Sequence, residues 1–286
     1  MKKMLVVLVA LIFCSVTTEL AYSQTDIEFD MEKFWGPKSE PISDMTPQEV
    51  EKANNNLNDA VEPIIDLFGF LTGGGLYNTA DMHGVLGFDA GIKLVAMRVG
   101  DDQLPFLDGL EQEFQEGPLQ GESVIPIPML HASVGVLPRL ELMGRFITYP
   151  MGEEESAEGN ITLLGVGAKF GVLQMFGLPK VALVGAYHYL SVPESFDFGS
   201  ISALTGAVVV SHSFAIASVY AGAGVDYTTL ELDMPDPIPD PEPFNKSNFR
   251  GNVGVRFNPI PFMYMNIDYN FGPVQGLTAG LGITMR

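Results

Sequence analysis

Apolar and polar residues alternate along most of the chain from about residue 84 onward, as they do in β-strands that present two different faces. The run from Leu164 to Val172, in which every second residue is apolar, is one clear case. We predict ten strands, at residues 84–98, 128–137, 139–149, 161–173, 180–190, 201–212, 215–230, 248–257, 262–271 and 275–286. Most have the length of roughly ten residues that a tilted strand needs to cross a bilayer.

The links between the predicted strands alternate between short and long. The short links are 137–138, 176–180, 213–214 and 258–261, and the long ones are 99–127, 150–160, 191–200 and 231–247, with a tight Gly272-Pro273 for the last. This alternation places all short turns at one end, as in bacterial outer-membrane barrels. The sequence therefore predicts an all-β fold, an antiparallel transmembrane β-barrel of about ten strands with a short N-terminal helical segment.

A soluble barrel or sandwich is the alternative, because strands with one buried face show the same alternation. In a soluble barrel the polar positions would carry long charged side chains that face water. Here those positions are largely Gly, Ser, Thr and Asn, as in the run from Leu164 to Val172. Small polar residues suit a polar lumen better than a solvated exterior, so the membrane barrel is favoured.

The first residues have the features of a secretory signal peptide. Lys2 and Lys3 precede an apolar run from Leu5 to Phe13, and small residues stand before a cleavage point after Ser23. The only cysteine, Cys14, lies inside this segment. We therefore expect residues 1–23 to be removed on export, which leaves a chain without disulfides and a destination in the bacterial outer membrane.

Residues 24–80 form an acidic segment that differs from the strand region, residues 81–286. Thr46 and Pro47 resemble the start of a helix, and apolar residues then recur at helical spacing to about Pro63. We predict a short amphipathic helix there and regard the segment as a candidate plug for the barrel. Residues 73–75, three consecutive glycines, are expected to form a flexible connection into the barrel.

The composition and charge of the chain are consistent with a protein whose surface faces a membrane. Only 17% of the residues are charged, against roughly 25% in a typical soluble domain. The net charge is nevertheless -20. So acidic a chain is a poor partner for nucleic acid, whose binding depends on Lys and Arg that neutralise phosphates. A soluble metabolic enzyme is disfavoured, and outer-membrane lipid is the expected surrounding.

The charged residues of the strands fall mainly on the polar face of the alternation, which would line the lumen. We predict nine lumen-lining residues: Asp89, Lys93, Glu141, Arg145, Lys169, Asp226, Arg250, Arg256 and Asp268. One interpretation is a set of ion pairs, since a narrow barrel must pair the charges that it encloses. The other is a polar constriction that selects solutes by charge. Both can hold at once.

Catalysis has little support in the sequence. The histidines, His83, His131, His188 and His212, are scattered, and Ser211 to Ser213 fall at a predicted turn without a glycine-flanked nucleophile motif. We expect no catalytic residues, no metal site and no cofactor. The acidic loops 153–155 and 233–243 could hold divalent cations, although a solvated rim explains them as well. Apolar residues at helical spacing from Phe106 to Phe114 suggest a segment that caps the barrel mouth.

Two short motifs carry a family resemblance. Gly75-Leu76-Tyr77-Asn78-Thr79-Ala80, followed by Gly87-Phe88-Asp89-Ala90-Gly91, resembles the start of a family of uncharacterised bacterial outer-membrane β-barrel proteins. The Val136 to Arg139 turn is similar to the same group and, more loosely, to the fatty-acid transporter class of barrels. The resemblance implies a membrane barrel over about residues 60–286, assembled with the help of the barrel insertion machinery. It implies no activity and no functional residues.

The leading functional hypothesis is a narrow or gated channel or transporter for a small solute, apolar ones included. The alternative is a structural or surface-interaction barrel with a closed lumen, in which acidic extracellular loops do the work. A barrel-borne lipid hydrolase is the third and weakest hypothesis. A fully open pore is disfavoured because an interior of about ten strands is only slightly wider than the eight-stranded case, which side chains fill.

Overall fold

The computed structural model describes residues 61–99, 123–151, 159–191, 199–232 and 242–285. The described chain begins with helix α1 (residues 61–73) and continues with ten strands. They are β1 (Phe88–Val99), β2 (Ser123–Leu137), β3 (Leu140–Met151), β4 (Gly159–Leu173), β5 (Lys180–Ser191), β6 (Ser200–Phe214), β7 (Ala217–Glu231), β8 (Phe244–Phe257), β9 (Met263–Phe271) and β10 (Gln275–Met285). No helix among the described residues is long and apolar enough to span a membrane.

The ten strands form a closed antiparallel barrel. Each strand pairs with its neighbours in chain order, and β10 closes the barrel against β1, with Phe88 opposite Met285 and Arg98 opposite Gln275. The predicted all-β barrel of about ten strands is confirmed. Closure leaves no strand with unpaired backbone groups at an edge, which a sheet in lipid requires.

The links between strands define two ends of the barrel. Short turns at residues 138–139, 174–179, 215–216 and 258–262 lie at one end, which we call the lower end. The long links, and the tight link at 272–274, join the strands at the other end, which we call the upper end. In the usual outer-membrane orientation the short turns face the periplasm and the long loops face the outside.

The outer face of the barrel is apolar along the middle of the strands. Outward residues such as Leu183, Val208 and Ile267 are about half exposed, whereas their neighbours in the same strands are buried. Aromatic side chains stand outward near both ends: Tyr189, Tyr227, Tyr269 and Phe271 near the upper end, and Phe170, Phe214, Phe257 and Phe262 near the lower end. Such a band with two aromatic girdles matches the surface of a barrel in a bilayer.

Several boundaries differ from the prediction. β2 begins at Ser123, inside the predicted loop 99–127, because Pro126 and Pro128 take outward positions while Ile125 and Ile127 face the lumen. Proline usually argues against a strand interior, which is why the sequence indicated a loop. β1 begins later than predicted, at Phe88, and the helix runs on to residue 73 instead of ending near Pro63.

Several predicted features lie outside the described residues. They are the signal peptide, the acidic residues before 61, the segment from Phe106 to Phe114, the acidic run 153–155 and most of the loop 233–243.

Candidate functional site: a segment that fills the lumen

The described part of the chain before β1, residues 61–87, runs through the barrel lumen from the upper end to the lower end. We call residues 61–87 the plug segment. Its contacts descend β8 in order: Asp66 with Lys246 (2.7 Å), Tyr77 with Asn252 (2.9 Å), and Asn78 with Arg256 (2.9 Å). At the lower end Leu86 donates its backbone N–H to the carbonyl of Gly135 (2.8 Å), close to the turn between β2 and β3. The plug segment therefore spans the height of the lumen.

Helix α1 presents a polar and small stripe to β7 and β8. The stripe consists of Glu62, Asp66, Gly69 and Gly73, at the three- and four-residue spacing that shares one helix face. Lys246 forms ion pairs with both carboxylates, at 2.5 Å to Glu62 and 2.7 Å to Asp66. The two glycines let the walls approach: a methyl group at Gly73 would overlap the Arg250 guanidinium, and one at Gly69 would lie 3.1 Å from the Thr228 hydroxyl.

The rest of α1 is apolar and lies in an apolar part of the lumen, which we call the upper lumen. Val61, Ile64, Ile65, Leu67 and Phe68 are at most 5% exposed. Inward residues of several strands at this height are apolar and buried as well: Val95, Met97, Ile125, Ile127, Ile161, Leu163, Leu190, Ile201 and Leu230. Burial of apolar surface on both sides holds α1 in place.

Two arginines meet the carboxyl end of α1. Arg145 donates hydrogen bonds to the carbonyl oxygens of Thr72 (2.7 Å) and Gly74 (2.6 Å). These are among the carbonyls that a helix end leaves without intrahelical partners. The end of the helix dipole also carries partial negative charge, which a cation stabilises. Gly75 has a φ of +62°, and so ends the helix in a conformation that suits glycine.

Arg250 crosses the helix at Gly73 and is paired with Asp226 on β7, at 2.9 Å. Asp226 also accepts a hydrogen bond from Thr205 (2.7 Å). The expected flexible connection at residues 73–75 is therefore wrong. The three glycines are buried, and their lack of side chains makes room for Arg250, Arg145 and Thr278.

The lower lumen, from the end of α1 to the short turns, is polar and charged. His83 of the plug segment contacts two carboxylates, with Nε2 3.0 Å from Asp89 and Nδ1 3.0 Å from Glu141. Arg256 binds both oxygens of Asp89, and Lys169 lies 2.9 Å from Glu141. All five side chains are buried, so that each charge depends on these partners.

Other parts of the plug segment are fixed in the same region. Asp81 forms an ion pair with Lys180 (2.5 Å) and accepts a hydrogen bond from Ser213 (2.7 Å). Lys169 donates to the backbone carbonyl of Asp81 (2.8 Å), and Ser211 accepts from the backbone N–H of Ala80 (2.9 Å). The lower half of the plug segment is thus bound through specific polar contacts.

The structure places all nine predicted lumen-lining residues inside the barrel, each at most 5% exposed. Three ion pairs form among them: Asp89 with Arg256, Glu141 with Lys169, and Asp226 with Arg250. Lys93 donates to Asn266 (2.6 Å), and Asp268 accepts from Tyr220 (2.7 Å) and Asn270 (2.7 Å). Arg145 differs from the rest because it binds backbone carbonyls of the plug segment.

Several contact residues were not predicted. Asp81, Tyr77 and Asn78 lie in the plug segment, and their partners on the barrel wall are far away in sequence. For the contact of α1 with the wall, the sequence did contain a signal. A polar and small stripe on an otherwise apolar helix is formed by Glu62, Asp66, Gly69 and Gly73.

Polar groups without hydrogen-bond partners gather around the end of α1. Among the described residues they include Arg145 Nε, Arg250 Nη2, the Thr278 hydroxyl and both ring nitrogens of His188. Thr278 lies against Gly74 and Gly75, close to the guanidinium of Arg145. These donors lie at the lower end of the apolar upper lumen. An excess of donors there fits a ligand group with several acceptor oxygens.

The serines and histidines that the sequence singled out take structural positions. Ser211, His212 and Ser213 belong to β6, because the turn to β7 lies at residues 215–216 and not at 213–214. Ser211 and Ser213 bind the plug segment, and His212 packs edge-on against Phe214, with ring centroids 4.7 Å apart. No group of three or more His, Cys, Asp or Glu in the described chain could hold a metal ion.

A closed antiparallel barrel with an apolar outer belt, two aromatic girdles and a charged interior defines a β-barrel of the outer-membrane class. Residues 102–285 match the Family of unknown function (DUF6588), and the chain belongs to that family. No curated protein matches the chain.

Several solved structures are similar to parts of this chain. The translocator domain of the autotransporter NalP from Neisseria meningitidis is 14% identical, with 80% of this chain and 98% of that chain covered and a TM-score of 0.41. Ail, the attachment invasion locus protein of Yersinia pestis, is 12% identical over 70% and 98%, with a TM-score of 0.29. The N-terminal β-barrel domain of Pseudomonas aeruginosa OprF is 11% identical over 51% and 96%, with a TM-score of 0.30.

Proposed function

We propose that this protein is a gated outer-membrane transporter for a small amphiphile, in which α1 is the gate. The observation that carries the proposal is the position of α1: a largely apolar helix fills an apolar chamber, and Arg145 binds its carboxyl end. When α1 leaves toward the upper end, it uncovers a chamber with an apolar wall and a cationic floor.

The kind of solute that the upper lumen would accept can be inferred from the groups of α1 that occupy it. The helix presents an apolar body and, at its lower end, carbonyl oxygens with partial negative charge. A solute with an apolar chain and an anionic head, such as a carboxylate or a phosphate, offers the same two features. Its head could use the donors of Arg145, Arg250 and Thr278 that the plug segment leaves without partners.

The lower half of the plug segment supports a gate with a fixed part and a removable part. Below Tyr77 the segment is tied to the wall through His83, which lies between the buried carboxylates of Asp89 and Glu141. Breaking such contacts leaves buried charges, at a cost of roughly 3–5 kcal/mol each. α1 has no fully buried ion pair, since Lys246 and Glu62 are partly exposed. The upper lumen would therefore open first.

A reversible disulfide can test whether α1 is the gate. A methyl group at Gly69 would lie 3.1 Å from the Thr228 hydroxyl oxygen, close to the separation between Cβ and the opposite sulfur across a disulfide. The double variant Gly69→Cys/Thr228→Cys should lock α1 to β7 when oxidised. In liposomes, uptake of dodecanoate and dodecyl phosphate above the level of protein-free liposomes should occur after reduction and stop after oxidation.

The control disulfide joins two strands without touching the plug segment. Thr148 and Thr162 face each other on β3 and β4, with their hydroxyl oxygens 3.0 Å apart. Oxidation of Thr148→Cys/Thr162→Cys should leave uptake unchanged. Uptake that continues through the oxidised Gly69→Cys/Thr228→Cys barrel would contradict a gating role for α1. Barrel-dependent uptake, taken as the excess over protein-free liposomes, that is faster for the neutral dodecanol than for dodecanoate would contradict the anionic head.

The second candidate function is a barrel with a permanently closed lumen that works through its surface. It is favoured by the polar contacts that hold the lower plug segment from Tyr77 to Leu86. This candidate predicts neither uptake nor conductance in either redox state of the locked variant.

We propose no catalysed reaction for the barrel. Ser211 and Ser213, the residues next to His212, use their hydroxyl groups to bind the plug segment. We propose instead that the partners are outer-membrane lipid, the amphiphilic solute and, during assembly, the insertion machinery. Export through a cleaved signal peptide is part of the same proposal.

A further inference from the structure

We propose a further function that does not depend on transport: the barrel displays the chain before residue 61 on its upper face, which is the cell surface in the usual orientation. The proposal rests on the direction in which the plug segment passes through the lumen. Glu62 lies at the upper rim beside Lys246, and Leu86 lies at the lower end beside Gly135. The chain therefore enters the lumen from above and leaves it below.

The direction is fixed by contacts along the whole segment. Asp66 also accepts a hydrogen bond from Asn248, two residues below Lys246 on β8 (2.8 Å). Arg250 then meets Gly73, and Arg256 meets Asn78. At the lower end His83 lies beside Asp89, the second residue of β1. A segment that entered from below would make these contacts in the opposite order.

Large buried side chains occupy the lumen at several heights. Large side chains at several heights are completely enclosed: Phe68 in α1, Lys93 at mid-height, and Arg256 and Tyr264 near the lower end are all at most 1% exposed. The Arg256 guanidinium also lies over the aromatic ring of Tyr264, with Cζ 4.3 Å from the ring centroid. A second passage of the chain through the lumen would have to displace these side chains.

A return outside the barrel is excluded by the lipid. A lone chain that crosses the hydrocarbon region would leave its backbone N–H and C=O groups without partners, at several kcal/mol for each group. The outer face of the closed barrel offers no strand edge to pair with. The chain that precedes residue 61 therefore stays on the side from which α1 enters.

Cysteine labelling on intact cells can test this display. The only natural cysteine is Cys14, in the predicted signal peptide, so that single cysteines introduced later report their own positions. We choose Ser43→Cys in the chain before α1 and Glu62→Cys at its start. The controls are Glu231→Cys, exposed at the upper end of β7, and Phe176→Cys, fully exposed in a lower turn. The probe is a charged maleimide that does not cross membranes.

We expect Ser43→Cys, Glu62→Cys and Glu231→Cys to be labelled on intact cells, at least tenfold more than Phe176→Cys. Phe176→Cys should react only after the outer membrane is permeabilised. Labelling of Ser43→Cys that follows Phe176→Cys instead would overturn the proposal, provided that mass spectrometry finds residue 43 in the mature chain. If residue 43 is absent from the mature chain, too little sequence precedes α1 to be displayed, and the proposal is wrong.

Two further outcomes are also decisive. If Phe176→Cys and Glu231→Cys exchange their behaviour, the barrel has the opposite orientation, and display at the cell surface is wrong. If all four positions are labelled equally on cells whose periplasmic control protein stays unlabelled, both ends are accessible, and display on one face is wrong. A barrel that displays its N-terminal chain but takes up no dodecanoate would contradict the proposed transport alone.

Discussion

The upper and lower lumen hold the two halves of the plug segment by different means. In the upper lumen α1 is held by apolar burial, by two hydrogen bonds from Arg145 and by ion pairs at the rim. In the lower lumen His83 is held by the buried carboxylates of Asp89 and Glu141, which have defined partners of their own. Apolar burial is non-directional and accepts a substitute of similar shape, whereas buried ion pairs do not. One segment thus combines a replaceable half with an anchored half.

The largest effect should come from a broken charge network in the lower lumen. Arg256→Met leaves Asp89 buried without its main partner and removes the hydrogen bond to Asn78. We expect a loss of about 3–5 kcal/mol in the free energy of unfolding. Urea unfolding in lipid vesicles, followed by heat-dependent gel mobility, measures it. The exposed Arg139 supplies the control, and Arg139→Met should change stability by less than about 0.5 kcal/mol.

A smaller effect is expected where α1 touches the wall most closely. Gly73→Ala places a methyl group on the Arg250 guanidinium, which is also bound to Asp226 and has little freedom to move. Overpacking of this kind costs roughly 1–3 kcal/mol. Gly84→Ala is the matched control, since a methyl group there meets nothing within 4 Å. Equal unfolding midpoints for the two variants would show that α1 is packed more loosely than described.

Arg145→Met should affect α1 and leave the lower half of the plug segment unchanged. It removes both hydrogen bonds to the carboxyl end of α1, and we expect the docking of α1 to weaken by about 1–2 kcal/mol. The loss stays moderate because a buried guanidinium is removed at the same time. Deuterium exchange should become faster in α1 and stay unchanged at residues 77–83.

Lys169→Met gives the reverse pattern for comparison, because Lys169 binds Glu141 and the carbonyl of Asp81. Exchange should then rise near Asp81 and stay unchanged in α1. A uniform rise along the whole plug segment in either variant would contradict two independently held halves.

The smallest effect is expected at the rim. Lys246→Gln removes the ion pairs with Glu62 and Asp66, but these side chains are partly exposed. We expect less than about 1 kcal/mol, reduced further at high salt because exposed pairs are screened. Deuterium exchange of residues 61–66 at low and high ionic strength measures it. A change that does not depend on salt would indicate a packing effect of the lysine stem.

The barrel could be predicted from the sequence because lipid and lumen impose a period of two on every strand. Leu164 to Val172 shows this in a single run, and the alternation of short and long links gave the order of the strands. β2 was predicted too short because Pro126 and Pro128 interrupt the usual signal, although both fit at outward positions.

The site was harder to predict than the fold. The alternation placed Arg145 on the inward face, but its partners are backbone carbonyls, which leave no mark in the sequence. Tyr77 and Asn252 are likewise joined by a hydrogen bond across most of the chain. Local patterns indicate which face of the barrel a side chain takes. They do not indicate which distant residue it contacts across the lumen.

The seam between β1 and β10 also constrains the order of events during folding. It joins the first strand to the last, so that the barrel can be sealed only after the whole chain has been made. The plug segment precedes β1, and its anchored lower half, with buried side chains such as Tyr77 and His83, has to be inside before that moment. The seam is therefore expected to form last, around an interior that is already occupied. Folding should then be slow, because the decisive contacts link distant parts of the chain.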